Sequence, residues 1–346
     1  MTAAPLPVIA DDAKTRWMGC RQVDDTHFAT LFDDTGHVHL DVQLPGRGHG
    51  ILPSSDGQRV AIMARRPDRF ALVVDLSTGD VLHQLTASAG HHFYGHGCFS
   101  SDGTLFYTSE NHYETGNGVI GVRDANKGFE LLGHFASGGI GPHEILLTAD
   151  GKSLAIANGG IRTHPDTDRS KLNLETMAPS LTFVDSTTGE LASRHTLDPE
   201  HHQLSIRHLA TGPNGIAAAL QYEGPKRNRV PLLALFDGSH LTLADTPTTV
   251  AKAMRNYAGS VTFDASGEII ALTCPRGNLV SFWSSDDGTY LGAHTARDVC
   301  GIAPLENPGH FALTAGAITF QATLATTKTT AQFADTQWDN HLVAIA

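Results

Sequence analysis

The chain has 346 residues, a formal net charge of −12 and no run of basic residues, which argues against a nucleic-acid backbone as its partner. No apolar stretch of about 18 residues occurs, so the sequence predicts no membrane span. Frequent Gly, Thr and Val, without long charged helical stretches, favour an all-β fold of short strands joined by tight turns.

The first 16 residues are predicted to be a flexible segment, and residues 17–346 a single domain. The segment 1–12 has neither the basic nor the apolar region of a signal peptide. Two interpretations stay open. Either the protein is cytosolic, or this is a mature chain whose leader was removed and replaced by a methionine.

A repeat of 47 residues separates His49 from His96 and His96 from His143. From His49 onward, the pattern predicts four short strands, at 50–52, 59–64, 70–75 and 81–85, joined by Asp-Gly and Thr-Gly turns. Repeats of this length with four strands are typical of propeller blades of the WD40/YVTN-like kind. The next interval is longer by 18 residues, and we place an insertion at 161–178.

The count of repeats predicts a closed ring of seven four-stranded antiparallel blades. The N-terminal part supplies three strands, at 17–23, 27–32 and 38–44, and the C-terminal segment 340–346 supplies the innermost strand of that same blade. Pairing the two termini in this way removes free sheet edges.

One column of the repeat is rich in histidine. In five consecutive blades a histidine is predicted to open the inner strand, and in the other two blades Ser260 and Cys300 take its place. In a propeller this column becomes a ring around the central channel. The five predicted metal ligands are His49, His96, His143, His208 and His341.

The loops predicted on one face of the disc contain most of the unusual polar residues, and loops on a rigid scaffold are where binding residues concentrate. From these loops and the ring we predict nine further ligand-binding residues: His91, His92, Glu110, His112, Arg162, His164, Arg207, Arg276 and Cys300. Glu110, Glu144 and Asp339 are also candidate carboxylate ligands, or partners that fix histidine tautomers.

Imidazole suits Zn, Cu, Fe and Ni, and the shortage of cysteine argues against metal clusters or Cu(I) thiolate sites. The four cysteines include no C-x-x-C pair, and most are expected to be buried. Simpler interpretations stay open. Any one histidine could be a packing residue, the arginines could form ion pairs between blades or an anion site, and Cys300 could be a buried thiol or a thiolate ligand.

Four motifs resemble a bacterial propeller family catalogued as domain of unknown function 1513. They lie at 92–97, 158–166, 203–208 and 338–342, and the similarity runs from about His49 to the C-terminus. The resemblance implies a secreted, usually periplasmic protein, often with a twin-arginine leader and encoded beside imelysin-type iron-uptake proteins and di-haem peroxidase-like proteins. It implies a cellular context and no mechanism, and this sequence departs from it in lacking the leader.

The leading hypothesis is a propeller that binds a transition metal, iron or copper before zinc, in periplasmic metal uptake or handling, with iron-uptake proteins as partners. The second is an enzyme of lyase or hydrolase type, with a histidine as general base and an arginine that holds a small anionic substrate. The third is a scaffold that docks partner proteins, in which the histidines are structural. A deep polar channel mouth favours the enzyme over the scaffold, and a flat apolar patch favours the scaffold.

Overall fold

Seven four-stranded antiparallel sheets form a seven-bladed β-propeller, as the repeats predicted. The structure is a computed structural model that describes residues 15–65, 69–167 and 170–345. The predicted flexible segment therefore lies outside the described residues, except for its last two positions. Within the described part of the chain, no helix is long and apolar enough to cross a membrane.

The strands follow the predicted order from the first blade to the insertion. The described part of the chain begins with β1 (Arg16–Val23), β2 (Thr26–Asp33) and β3 (Val38–Leu44). The next blade consists of β4 (Gly48–Pro53), β5 (Arg59–Ala64), β6 (Ala71–Asp75) and β7 (Val81–Leu85). It is followed by β8 (His91–Phe99), β9 (Leu105–His112), β10 (Asn117–Asp124) and β11 (Glu130–Ala136). The fourth blade consists of β12 (Pro142–Leu147), β13 (Ser153–Asn158), β14 (Ser180–Asp185) and β15 (Leu191–His195).

Three more blades and the closing strand complete the ring. The fifth blade consists of β16 (Leu204–Gly212), β17 (Gly215–Tyr222), β18 (Leu233–Phe236) and β19 (Leu241–Leu243). After a short helix α1 (Thr248–Ala253) come β20 (Ser260–Phe263), β21 (Ile269–Cys274), β22 (Leu279–Ser284) and β23 (Tyr290–Thr295). The last blade consists of β24 (Val299–Pro304), β25 (Phe311–Ala315), β26 (Ile318–Ala322) and β27 (Thr327–Gln332), and the chain ends with β28 (Thr336–Ile345).

Strand β28 closes the ring, as predicted. It pairs antiparallel with β1, and the first blade therefore has the order β28, β1, β2, β3 from the channel outward. Each inner strand contacts the inner strand of the next blade, and β28 contacts both β24 and β4. The first and last strands are thus joined by backbone hydrogen bonds, and the first blade has no free inner edge.

Apolar side chains that alternate along the strands form the core between blades. Met18 and Leu31 of the first blade pack with Ile51 and Ile62 of the second. The predicted Asp-Gly turns supply the positive φ angle that a tight hairpin needs, as Gly57 shows with a φ of 67°. The rigid disc places the ends of the inner strands around the channel.

The predicted insertion lies between β13 and β14 and contains two 3-10 turns, Pro165–Thr167 and Leu174–Thr176. Because it joins the second and third strands of its blade, it lies on the same face as the other loops between second and third strands. We call this the histidine-rich face. Helix α1, which lies between β19 and β20, was not predicted.

Replacing Gly50 with Ala is expected to destabilise the fold, because a Cβ atom on Gly50 would lie 2.3 Å from the carbonyl oxygen of Gly95 in the next inner strand. Backbone cannot yield as a side chain can, so we expect a loss of about 1–3 kcal/mol in the free energy of unfolding. Gly133 on β11 is the matched control, since its Cβ atom would meet nothing within 4 Å. Gly133→Ala should raise the stability slightly. Chemical denaturation of both variants measures this, and equal stabilities would contradict the close approach.

Candidate metal centre

The five ring histidines lie at or beside irregularities in the inner strands. In β4, Gly48 pairs with Ala64 and Ile51 with Ile62, so two residues, one of them His49, oppose a single residue of β5. Register shifts also occur at His96, His143, His208 and His341, with one to three residues of the inner strand left unpaired. A β-bulge turns a side chain away from its regular direction and is common next to active sites.

The prediction that these histidines open their strands is wrong for three of them. His96, His208 and His341 lie inside β8, β16 and β28, which begin several residues earlier. The residues before each of these histidines continue the strand toward the histidine-rich face. The bulges therefore interrupt longer inner strands at the level of the ring.

The five imidazoles meet on the channel axis. Around the ring, the centroids of neighbouring imidazoles are between 4.6 and 5.0 Å apart. Four of the five residues are buried, and His341 is partly exposed to the channel. We call this group the histidine cluster.

Two carboxylates contact the outer nitrogens of the histidine cluster. Glu144 lies between two rings, with Oε1 3.5 Å from Nδ1 of His96 and Oε2 3.3 Å from Nδ1 of His208. It also accepts a hydrogen bond of 2.7 Å from the backbone N–H of Leu209. On the other side, Asp339 Oδ1 lies 3.5 Å from Nδ1 of His49. Carboxylates in this position orient metal-binding histidines in many proteins.

Burial sets the protonation of the cluster. It lowers the pKa of all five imidazoles, and the neighbouring histidines and Arg207 lower several of them further. The rings are therefore neutral at neutral pH, which is the form that binds metal ions. Burial raises the pKa of Glu144 to about 7. Asp339 behaves differently, because His49 and Arg65 outweigh its burial and hold its pKa well below the usual range.

The inner nitrogens of two rings face each other at a distance typical of two ligands of one metal. Nε2 of His49 lies 3.2 Å from Nε2 of His96. If both Nδ1 atoms donate to their carboxylates, the two Nε2 atoms present lone pairs that repel unless a proton or cation lies between them. Two nitrogens bound tetrahedrally at about 2.0–2.1 Å from zinc would be about 3.3 Å apart.

The ligand atoms of the cluster group around His96. Nitrogens of His49, His96 and His143 lie within 4.8 Å of one another, and so do those of His96, His208 and His341. Four buried ring nitrogens of the cluster have no well-aligned hydrogen bond to the described residues: Nδ1 of His49, His143 and His208, and Nε2 of His341. A buried polar atom without a partner costs about 1–3 kcal/mol, so a metal, a proton or water that satisfies these atoms would stabilise the cluster.

The remaining two ring positions differ from the histidines. Ser260 Oγ donates a hydrogen bond of 2.8 Å to the carbonyl oxygen of Asn340 and lies 3.4 Å from Nδ1 of His341. Cys300 is a free, buried cysteine, and burial raises the pKa of its thiol above the usual range. This burial favours the interpretation of Cys300 as a packing residue, because buried free cysteines behave as small hydrophobic side chains.

Cavities adjoin the cluster from both faces of the disc. The first, which we call the polar cavity, has a volume of about 100 Å³ and opens on the histidine-rich face. It is lined by His49, Arg65, Tyr94, His143, Arg207, His208, Gln221, Tyr257 and Asn340. The second, which we call the wide cavity, has a volume of about 320 Å³ and largely aliphatic walls. It is also lined by Glu144 and by the cluster members His96, His208 and His341.

Three of the predicted ligand-binding residues form a separate group on the third blade. The ring of His91 lies 4.7 Å from that of His112 and stacks at 4.5 Å on His134, a residue that was not predicted. Glu110 is fully buried beside His134. Its Oε2 atom lies 3.5 Å from Nε2 of His134, and its Oε1 atom lies 3.5 Å from Nη2 of Arg123. These residues were expected in loops, but β8 and β9 extend through them and turn them away from the channel axis.

Three others lie on the histidine-rich face outside the polar cavity. His92 is buried, with Nε2 3.3 Å from Nδ2 of Asn111. Arg162 is exposed and donates a hydrogen bond of 3.3 Å to the carbonyl oxygen of Glu114. His164 packs its ring edge-on against Tyr113 at 5.4 Å. None of the three lines the polar cavity.

The two remaining arginines differ in position. Arg207 lines the polar cavity directly. Arg276 lies behind it, with its guanidinium 4.2 Å from the centre of the Tyr257 ring. This cation–π contact holds a wall of the polar cavity, and Arg276 also borders a separate basic cavity at the edge of the face.

Several residues around the cluster were not predicted. Arg65 lies 3.0 Å from Asp339 Oδ1, and Arg47 forms a close ion pair with Asp339 Oδ2. Gln221 reaches the polar cavity from the fifth blade, and Tyr257 reaches it from the segment after α1. The sequence contained one signal for Arg65, which is its position directly after β5, at the start of a loop on the histidine-rich face.

Comparison with known proteins identifies the family and the fold. The family model described as "Protein of unknown function (DUF1513)" matches residues 42–345. The hydrazine synthase of Kuenenia stuttgartiensis is 14% identical with a TM-score of 0.61, over 95% of this chain and 99% of that chain. The β-propeller domain of Myceliophteria thermophila Cps50 (Swd1) is 13% identical with a TM-score of 0.60, over 86% of this chain and 93% of that chain. At these identities both likenesses concern the fold alone. No curated protein matches the sequence.

Proposed function

The chain belongs to the DUF1513 family of proteins of unknown function, and we propose that it binds a transition metal ion in the histidine cluster. One observation carries the proposal. Five neutral, largely buried imidazoles from five blades converge on one point, and two of them face each other through Nε2 atoms 3.2 Å apart. Structural histidines need a hydrogen-bond partner each, whereas this cluster directs several nitrogens at one another.

The donor set narrows the choice of metal. All close donors are imidazole nitrogens, which suit Fe, Cu, Zn and Ni, and the carboxylates contact the rings from outside. Three or four of the five histidines would bind the ion, with His96 common to both possible groups of three. We propose iron or copper before zinc, and a role in periplasmic metal uptake or handling beside iron-uptake proteins.

Metal analysis of protein purified without an affinity tag tests the proposal. Inductively coupled plasma measurement of the isolated protein should find a stoichiometric transition metal. Titration of the chelator-treated protein with iron, copper and zinc should show which one binds most tightly. Absence of bound metal, together with no binding tighter than micromolar for any of the three, would refute the proposal.

Glu144→Gln is expected to weaken metal binding by about 10- to 100-fold, the usual effect of losing a carboxylate that orients metal-binding histidines. The amide cannot supply a negative charge to Nδ1 of His96 and His208. Glu110→Gln is the matched control, because Glu110 is also a buried glutamate but contacts His134 outside the cluster. Calorimetric titration of both folded variants measures the effect. A loss of affinity in the control alone would move the metal site to the third blade.

The polar cavity favours an enzyme as the second candidate function over a docking scaffold. It brings Arg65 and Arg207 to the same space as the imidazoles of His49, His143 and His208. A neutral histidine there can act as a general base toward an anionic substrate that the arginines hold. Turnover that persists in chelator-treated protein and disappears in His143→Ala would support the enzyme over metal handling.

A further inference from the structure

We infer that the metal ion in the histidine cluster takes a small planar oxyanion, a carboxylate or carbonate, as an additional ligand, and that the polar cavity holds this anion. The inference rests on the proposed function, because it names the partner that completes the same site. It concerns the histidine-rich face and not the wide cavity on the opposite side.

The polar cavity directly borders the histidine cluster. His49, His143 and His208 form one side of it, so an anion there lies directly against three of the five metal-binding candidates. Its volume of about 100 Å³ is several times the roughly 10–15 Å³ that a cavity needs to hold one water molecule. A carbonate or a short carboxylate therefore fits in it.

The charged side chains that line the polar cavity are arginines. Its walls contain two guanidinium groups, from Arg65 and Arg207, and its nine lining residues include neither an aspartate nor a glutamate. This is notable in a chain of net charge −12. The guanidinium fork matches the geometry of a planar carboxylate, which it can bind through two parallel hydrogen bonds.

The charges around a bound metal favour an anion as well. Imidazole ligands are neutral, so they leave the two positive charges of a divalent ion uncompensated. Asp339 is already paired with Arg47 and Arg65, and Glu144 is the other carboxylate in contact with the described cluster. Arg207 adds a further positive charge. An anion in the polar cavity lowers this excess of positive charge in a poorly solvated place.

The wide cavity provides a contrast on the other side of the cluster. It has Glu144 at its end and aliphatic walls from residues such as Leu52, Leu146 and Ile302. An oxyanion there would meet the carboxylate of Glu144, and no arginine or lysine of the described chain lines this cavity to hold it. The two faces of the cluster therefore differ in the charge of the ligand they accept.

The experiment is a titration of chelator-treated protein with Cu(II), by calorimetry, in chloride and then in bicarbonate or formate at matched ionic strength. We expect either oxyanion to tighten Cu(II) binding by about tenfold, within the usual range of coupling between two ligands. Arg207→Gln should abolish that gain, and Arg207→Lys should restore part of it. Arg162→Gln, whose side chain lies outside the polar cavity, is the control and should keep the full gain. Thermal unfolding confirms that each variant is folded.

The outcomes separate the inference from the proposed function. Copper binding that is equally tight with and without the oxyanions, in otherwise folded protein, would overturn the inference and leave the metal site intact. A gain that survives Arg207→Gln would also overturn it, because the anion would then bind elsewhere. No copper binding in any buffer would overturn the proposed function itself. Phosphate, which is tetrahedral, should give a smaller gain than bicarbonate; an equal gain would contradict the preference for a planar ion.

Discussion

A chain that ends at Asp339 is expected to lose its cooperative thermal unfolding transition and to aggregate. The deletion removes most of β28, the inner strand that pairs with β1. The backbone of residues 16–19 would lose its partner, and unpaired buried backbone groups and an open sheet edge both destabilise a fold. The deleted part of β28 would also lose its contacts with the neighbouring inner strands β4 and β24.

The apolar side chains of this segment indicate the size of the effect. Leu342 is buried, and Val343 and Ile345 pack against the core that the first two blades share. Each such side chain contributes about 1.5–3 kcal/mol when fully buried. Their loss is therefore on the order of 5 kcal/mol, which is comparable with the whole stability of an ordinary domain.

His341→Ala provides the comparison, since it keeps the strand and removes only the imidazole. This variant should fold, unfold cooperatively and bind metal more weakly than the natural sequence. Differential scanning calorimetry of the two proteins distinguishes the role of the strand from that of the side chain. A truncated protein that melts at the temperature of the full chain would show that β28 does not hold the ring closed.

The sequence was sufficient to predict the blades, their order and the closure, because these features depend on local patterns. Turns such as 54–57 and 101–103 recur at fixed distances, and apolar alternation marks the strands between them. The exact starts of β8 and β16 were not predictable in this way. Residues such as His91 and Ser205 are polar, and they join a strand because the neighbouring strand offers backbone partners, which the local sequence does not reveal.

The prediction of the site was limited in the same way, because contacts between strands are not visible in the local sequence. The ring of five histidines followed from the repeat, since identical positions in successive blades meet at the axis. His91, Glu110 and His112 were placed with them because they were interpreted as loop residues, whereas β8 and β9 extend through them and place them in a separate group with His134. Arg65 and Tyr257 were missed, because their approach to the cluster depends on contacts between distant blades.

The β-bulges in the inner strands allow side chains at the repeated position to reach the channel. In β12, His143 is the extra residue between Pro142 and Glu144, and in β16 the extra residue is Arg207, directly before His208. In a regular strand, successive side chains point alternately to the two faces of the blade, where they pack against the neighbouring blades. The extra residue changes that alternation, so imidazole, guanidinium and carboxylate groups from neighbouring positions can all reach the channel.

His96→Ala is expected to cause the largest loss of metal affinity of any single substitution in the cluster. The ring of His96 lies between 4.8 and 5.3 Å from each of the other four histidines, and His96 belongs to both groups of three possible ligands. Removal of a direct ligand should exceed the 10- to 100-fold effect of a residue that only orients one, so we expect a loss of at least about 100-fold.

His91→Ala is the matched control for this substitution, because it removes an imidazole from the third blade without touching the cluster. It should bind metal as the natural sequence does. The free energy of unfolding of metal-free His96→Ala should fall by only about 1–3 kcal/mol, as for other buried substitutions, so the variant remains folded during the titration. Because His96 joins both groups of ligands, no rearrangement of the remaining four histidines restores either of them. Unchanged affinity in His96→Ala, combined with a loss in His91→Ala, would therefore place the metal among His91, His112 and His134 instead.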